Sequence, residues 1–152
     1  MIKHIFKIRV RYSDTDQMKF VYHAKFFEYF EWARTELLRD YGLPYSEIER
    51  MGYLIPVLEA YAKFRKPAYY DDLLRIETYM KEIPNLKFRL EYEVYRDIDD
   101  ELIAEGYTEH VFLDAKTYKP VKPPDVFMNF VLEQFKSCKK QKLLILCLIK
   151  NC

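Results

Sequence analysis

Tyr22-His23-Ala24-Lys25-Phe26-Phe27-Glu28-Tyr29-Phe30-Glu31-Trp32-Ala33-Arg34-Thr35-Glu36-Leu37-Leu38-Arg39-Asp40-Tyr41 is the stretch on which the fold turns. Phe26, Phe30, Ala33, Leu37 and Tyr41 recur at the three-to-four-residue period that stacks side chains on one side of an α-helix, and Phe27 and Leu38 widen the stripe. Glu28, Arg34, Glu36, Arg39 and Asp40 fall at other angles. The spacing predicts a long helix from about Tyr22 to Tyr41 with one broad buried face. Gly42 supplies a left-handed stop and Pro44 prevents resumption. Ser46 with Glu49 then reads as a capping box for a short second helix ending near Gly52.

On the N-terminal side, Phe6, Ile8, Val10 and Tyr12 alternate with Lys7, Arg9 and Arg11, the period of a half-buried strand over Ile5 to Tyr12. Ser13-Asp14-Thr15-Asp16 breaks it with residues that bond their own backbone in turns. On the C-terminal side, strands are expected at about Leu54 to Arg65, Leu73 to Ile83, Leu86 to Arg96 and Glu101 to Leu113. Ile83-Pro84-Asn85 and Asp97-Ile98-Asp99-Asp100 are short turn-like links, so their flanking strands should pair antiparallel. One helix with a wide apolar face and five strands bury their apolar surface best if a curved antiparallel sheet wraps the helix, an α+β arrangement. A Pro-rich link, Lys119-Pro120-Val121-Lys122-Pro123-Pro124, leads to a last helix from Asp125 through about Lys136. Residues 1–136 thus form one domain, and 137–152 a tail with a basic cluster at Lys139-Lys140-Gln141-Lys142 and an apolar run over 143–149. That run is too short to span a bilayer, so no stable membrane insertion is expected.

The 152 residues, half of them hydrophobic, suit a single core. With 25 basic against 24 acidic residues there is no charge surplus for nucleic acid or an anionic membrane. Cys138, Cys147 and Cys152 all lie in the tail, so the body holds neither a disulfide nor a cysteine nucleophile. The N-terminus lacks a signal-peptide core, and a cytoplasmic protein is expected. Abundant charge, 32% of residues, with few amides suits a thermophile.

The chemistry is sought in Tyr12-Ser13-Asp14-Thr15-Asp16-Gln17-Met18-Lys19-Phe20-Val21-Tyr22-His23, which joins the first strand to the helix. A carboxylate near a helix start sits beside unpaired N–H groups and the positive end of the helix dipole, and those donors bind a developing oxyanion. Hydrolysis of an acyl compound needs its carbonyl oxygen polarised and its carbon attacked. Asp16 is the candidate carboxylate, as general base on a water or as a nucleophile forming a mixed anhydride. Asp14, two residues away on a strand-like turn, points elsewhere. Taken alone, the D-x-D turn is equally a capping device and His23 equally a packing histidine.

Asp14-Thr15-Asp16, Val21-Tyr22-His23 and Glu31-Trp32-Ala33-Arg34-Thr35-Glu36 together resemble the hallmark of the 4-hydroxybenzoyl-CoA thioesterase-like hotdog family, and within it the Tol–Pal-associated acyl-CoA thioesterases. Pro67-Ala68-Tyr69-Tyr70-Asp71-Asp72-Leu73, Ala104-Glu105-Gly106-Tyr107-Thr108-Glu109-His110 and Lys119-Pro120 extend the similarity over about residues 5 to 135. The resemblance implies a hotdog fold, hydrolysis of acyl-CoA to free acid and CoA without a separate cofactor, Asp16 as the catalytic aspartate and His23 as a second site residue. It implies that the backbone N–H of His23 polarises the carbonyl, and that a homodimer or homotetramer places each site between subunits. One departure stands out: Lys19 occupies the position where the family has glycine, and a left-handed backbone there costs a lysine about 1 kcal/mol.

Other chemistries fit less well. His4, His23 and His110 have no metal-ligand spacing, and His110 reads as a strand residue packed against the helix. Ser13 and Ser46 lack a nucleophile elbow, and three glycines make no phosphate loop. Lys63, Arg65, Lys66, Lys119 and Lys122 are available to coenzyme A phosphates without individual assignment. The alternatives are a hotdog dehydratase on acyl-carrier-protein substrates, using His23 with Glu28 or Glu31, and a non-catalytic acyl-CoA binder.

Overall fold

The computed structural model describes residues 1–150, with side chains through Ser137. Strand β1 (Ile2–Arg9) leads through a 3-10 turn (Tyr12–Asp14) to helix α1 (Lys25–Asp40) and short helix α2 (Tyr45–Arg50). There follow β2 (Tyr53–Leu54), β3 (Val57–Phe64), β4 (Leu73–Met80), β5 (Lys87–Arg96), β6 (Glu101–Asp114), β7 (Pro120–Val121) and α3 (Asp125–Lys150). The five long strands form one antiparallel sheet in the order β1-β4-β5-β6-β3, with the two-residue β2 and β7 added along the far end of β6. The α+β arrangement of a sheet around one helix, read from the periodicity, is the one observed.

The core lies between α1 and the sheet. Phe26, Phe30, Ala33 and Leu37 from the helix stripe are buried, against Leu74 and Ile76 of β4, Leu90, Tyr92 and Val94 of β5, and Ala104 and Phe112 of β6. Apolar residues on the inner side alternate with charged ones outside, which fixes strand register because a one-residue slip would exchange the two faces. On the outer side Arg75 bonds Glu77 and Asp97, Lys3 pairs with Glu77 at 2.6 Å, and Lys7 with Asp97 at 2.7 Å.

Several boundaries differ from the expected ones. Strand β1 starts earlier and ends at Arg9, so Tyr12 lies in the 3-10 turn and is exposed. Helix α1 starts at Lys25, because Val21 is bridged to Thr15 and the Tyr22 N–H is held by the Asp14 carbonyl, which keeps the chain extended there. The Ser46–Glu49 capping box does not form: Pro44 is the residue before the first turn of α2 and Ser46 lies inside it. The strand expected over Leu54 to Arg65 is broken at Ile55-Pro56, where the Tyr45 hydroxyl donates to the Ile55 carbonyl and accepts its N–H. Gly42, at φ 75°, ends α1 as expected.

Helix α3 passes the expected end near Lys136, since residues 125–150 contain neither glycine nor proline. The 136/137 boundary therefore falls within it. The side chains of 138–152, with all three cysteines and the basic and apolar runs, lie outside the described residues. Among the described residues no helix is long and apolar enough to cross a membrane.

Candidate active site

Asp16 sits on a small hairpin between the 3-10 turn and α1. Thr15 and Val21 form an antiparallel bridge, the Asp16 N–H donates to the Phe20 carbonyl at 3.1 Å, and the Lys19 N–H donates back to the Asp16 carbonyl at 2.9 Å. Closing so tight a turn requires a left-handed residue, and Lys19 takes that conformation at φ 68°. The conformation identified from sequence as costly for a lysine is the one it adopts. The hairpin is tied outward as well: the Val21 N–H donates to the Ala68 carbonyl at 2.8 Å, and Phe20 bridges Tyr69.

The Asp16 side chain is half-buried. Its Oδ1 accepts the Met18 N–H at 2.8 Å, while Oδ2 has no hydrogen-bond partner among the described residues. One oxygen thus fixes the orientation and the other stays available.

His23 lies before the helix rather than in its first turn; Ala24 is the N-cap. The N–H groups of Lys25, Phe26 and Phe27 close local turns onto the carbonyls of Tyr22, His23 and Ala24. The N–H groups of His23 and Ala24 have no acceptor among the described residues. These two donors, at the positive end of α1, are available for an incoming carbonyl oxygen. The His23 ring is exposed and stands edge-on to Phe64, with centroids 6.3 Å apart.

Asp16 and His23 line one cleft of about 370 Å³. Its walls are apolar and aromatic: Phe26 and Phe64, with ring centroids 5.2 Å apart, together with Met18, Phe20 and Val21. Arg65, Lys66, Pro67 and Ala68 complete the lining. The sequence supplied Asp16 and His23 but not this aromatic wall, because Phe26 and Phe64 come from elements far apart in the chain. Arg65 and Lys66 contribute positive charge, although Arg65 pairs with Glu105 at 2.5 Å and Lys66 lies 3.7 Å from Glu101. A separate hollow of about 400 Å³ by the β4–β5 turn, lined by Lys81, Lys87 and Arg89 with Glu82, Glu91 and Glu109, is remote from both residues. Glu91 and Glu109 there are paired with Lys81 and Lys87. Among the described residues no cluster of three or more His, Cys, Asp or Glu side chains is arranged to hold a metal.

Asp14 points away from the cleft, as expected of the first carboxylate in the D-x-D turn. It is 3% exposed, and its Oδ2 accepts the Arg11 N–H and the Tyr29 hydroxyl, each at 3.0 Å. Burial, reinforced by the Asp14 charge, pushes the Tyr29 hydroxyl pKa well above its usual range, so Tyr29 remains a donor.

The chain is similar to several known proteins. Residues 10–131 match the thioesterase-like superfamily. The acyl-CoA thioesterase YbgC of Haemophilus influenzae is 31% identical over 122 residues, covering 78% of this chain and 87% of that protein. A 1,4-dihydroxy-2-naphthoyl-CoA hydrolase of Thermosynechococcus vestitus is 28% identical over 117 residues, covering 76% of this chain and 80% of its own length. Among solved structures, the DHNA-CoA thioesterase of Staphylococcus aureus superposes with a TM-score of 0.81 at 26% identity, covering 93% of this chain and 94% of the other. With the family matched over most of the chain and the sheet-around-helix architecture shared, this protein belongs to the thioesterase-like superfamily and has its hotdog fold.

Proposed function

We propose that the chain hydrolyses the thioester bond of acyl-CoA to a free acid and coenzyme A, with Asp16 as the reacting carboxylate and the His23 N–H as the carbonyl-polarising donor. The observation that carries this reading is the coexistence, in one apolar cleft, of the Asp16 carboxylate, with one oxygen anchored and one without a partner among the described residues, and of His23 at the helix start, whose N–H has no acceptor among the described residues. The thioester carbonyl oxygen takes the donors, which stabilise the negative charge that develops as the carbon is attacked. Asp16 either removes a proton from the attacking water or attacks itself; in the second route water then cleaves the mixed anhydride. Both routes release the CoA thiol and need no other cofactor. The 31% identity to an acyl-CoA thioesterase supports the substrate class. The segments Asp14-Thr15-Asp16 and Val21-Tyr22-His23 support a place beside the Tol–Pal-associated branch.

A second copy of the chain completes each site, in a dimer or a dimer of dimers. In support, β3 is an edge strand of the sheet with unpaired backbone groups, and its Val57, Leu58, Tyr61 and Phe64 are 43% to 48% exposed, Phe64 in the cleft wall itself, an apolar edge suited to a partner. A cytoplasmic setting follows from the substrate, and the ion-pair lattice around Arg75 and Glu77 suits a heat-adapted source.

Thiol release from purified protein over benzoyl-, short- and long-chain acyl-CoAs tests the activity. Release from at least one of them is expected. Binding without release across the panel would make the chain a non-catalytic acyl-CoA binder, and loss of water from a 3-hydroxyacyl carrier-protein thioester without thiol release would make it a dehydratase.

A further inference from the structure

Asp14 is a buried carboxylate that the proposed reaction does not use, and its bonds reach the segments on either side of Asp16 and His23. Its side chain accepts the Tyr29 hydroxyl from the second turn of α1, at 3.0 Å, and the Arg11 N–H from the residue before the 3-10 turn, also at 3.0 Å. Its backbone carbonyl accepts the Tyr22 N–H at 2.9 Å, one residue before His23. Two residues on, Asp16 begins the hairpin that Thr15 and Val21 close. Lys25, the first residue of α1, holds its ammonium 3.9 Å from Asp14 Oδ1 and 2.8 Å from Glu28. The Arg11 guanidinium lies over the Trp32 ring at 5.2 Å, one turn beyond Tyr29.

Burying a carboxylate is costly unless hydrogen bonds and opposite charge compensate it. Here two hydrogen bonds and the nearby Lys25 and Arg11 cations do so, on a residue that a neutral side chain could replace if only packing were needed. The carboxylate ties the chain leading into the Asp16 hairpin to α1 through Tyr29, and the backbone carbonyl of the same residue holds the Tyr22–His23 lead-in, so fixing Asp14 fixes both.

We infer that Asp14 and Tyr29 form a positioning pair, which holds the Asp16 carboxylate at a fixed separation from the His23 N–H. The pair touches no substrate. It acts on the reaction through the two groups it holds, and it rests on the function proposed above. Loosening a reacting group by about 1 Å costs on the order of a hundredfold in rate while leaving binding by the cleft walls intact. The signature of positioning is therefore a loss in kcat without a matching loss in affinity.

The test compares Tyr29→Phe, which keeps the ring and removes the one hydroxyl, with Asp14→Asn, Asp14→Ala, the Tyr29→Phe/Asp14→Asn double variant and Asp16→Asn. All are assayed as intact chains well below their unfolding temperatures. Steady-state thiol release is paired with the Kd for a non-hydrolysable thioether analogue of the acyl-CoA. The expected result is a kcat loss of about tenfold to a hundredfold in Tyr29→Phe and Asp14→Asn, analogue Kd near that of the parent, a larger loss in Asp14→Ala, and a double variant no worse than the poorer single. Folded Tyr29→Phe and Asp14→Asn with parental kcat, alongside an inactive Asp16→Asn, would overturn the positioning role and leave the function standing. An equal loss of analogue affinity would likewise overturn it, making the pair a prop for the whole cleft. Should Asp14→Asn fail to fold, Tyr29→Phe decides alone. An active Asp16→Asn would instead strike the role of Asp16 on which the inference rests, while thiol release by the parent stands as its own test of the function.

Discussion

The Phe30 ring of α1 lies flat on the Tyr92 ring of β5, with centroids 4.3 Å apart and planes 8° from parallel. Gly106 makes this possible. It is paired with Tyr92 across β5 and β6, and a Cβ built on it would stand 2.8 Å from Phe30 Cε2 and 2.2 Å from the Tyr61 carbonyl oxygen. The helix therefore approaches the sheet at the one inward position of β6 without a side chain.

Gly106→Ala is expected to destabilise the protein by about 1–3 kcal/mol, because the clash is with backbone as well as with a ring that has no room to move. Urea denaturation measures it. A variant as stable as the parent would show that the helix is not held at this distance.

Lys19→Gly should have the opposite sign. The lysine is held at φ 68° on an exposed turn, so removing its Cβ relieves about 1 kcal/mol of backbone strain, less the extra freedom that glycine gives the unfolded chain. A raised denaturation midpoint is the expected outcome; a lowered one would mean that the lysine side chain makes a compensating contribution.

His110 makes stability depend on pH. Its Nδ1 faces the Pro56 carbonyl at 3.2 Å and its Nε2 the Thr108 hydroxyl at 2.7 Å, which in turn meets the Tyr92 hydroxyl at 2.7 Å. A carbonyl only accepts, so Nδ1 carries the proton, Thr108 donates to Nε2, and Tyr92 donates to Thr108. Burial, followed by the charge of Arg34, lowers the His110 pKa from 6.5 to about 4. The unfolded chain thus takes up this proton at higher pH than the folded one. Stability from this group is complete above about pH 6.5 and is lost as the pH falls toward 4, by on the order of 3 kcal/mol. Denaturation midpoints of the parent and His110→Gln across that window should show a steep slope for the parent and a shallower one for the variant. Parallel slopes would contradict the assignment.

Local pattern and non-local contact divide what the sequence made legible. The stripe through Phe26, Phe30, Ala33 and Leu37 gave the helix and its buried face, and Gly42 its end, because period and left-handed stop are written within a few residues. The start was misplaced by three residues because the Tyr22 N–H is taken by Asp14, a partner outside any local window. The break in the strand at Ile55-Pro56 was missed for the same reason, since it is bridged by a hydroxyl from α2. At the site, Asp16 and His23 could be named from one short segment. Phe64 in the cleft wall and Tyr29 on Asp14 could not, as each meets its partner only once the sheet has wrapped the helix.

The measurement that bears most directly on the site is kcat for thiol release by Asp16→Asn, with circular dichroism and sedimentation run on the same sample. Asparagine keeps an oxygen for the Met18 N–H and removes the base and nucleophile together. A fall of about a thousandfold or more, with secondary structure and assembly unchanged, is the predicted result. A folded variant that releases thiol within about tenfold of the parent rate would contradict it, since a loss that small is below what removing a general base costs.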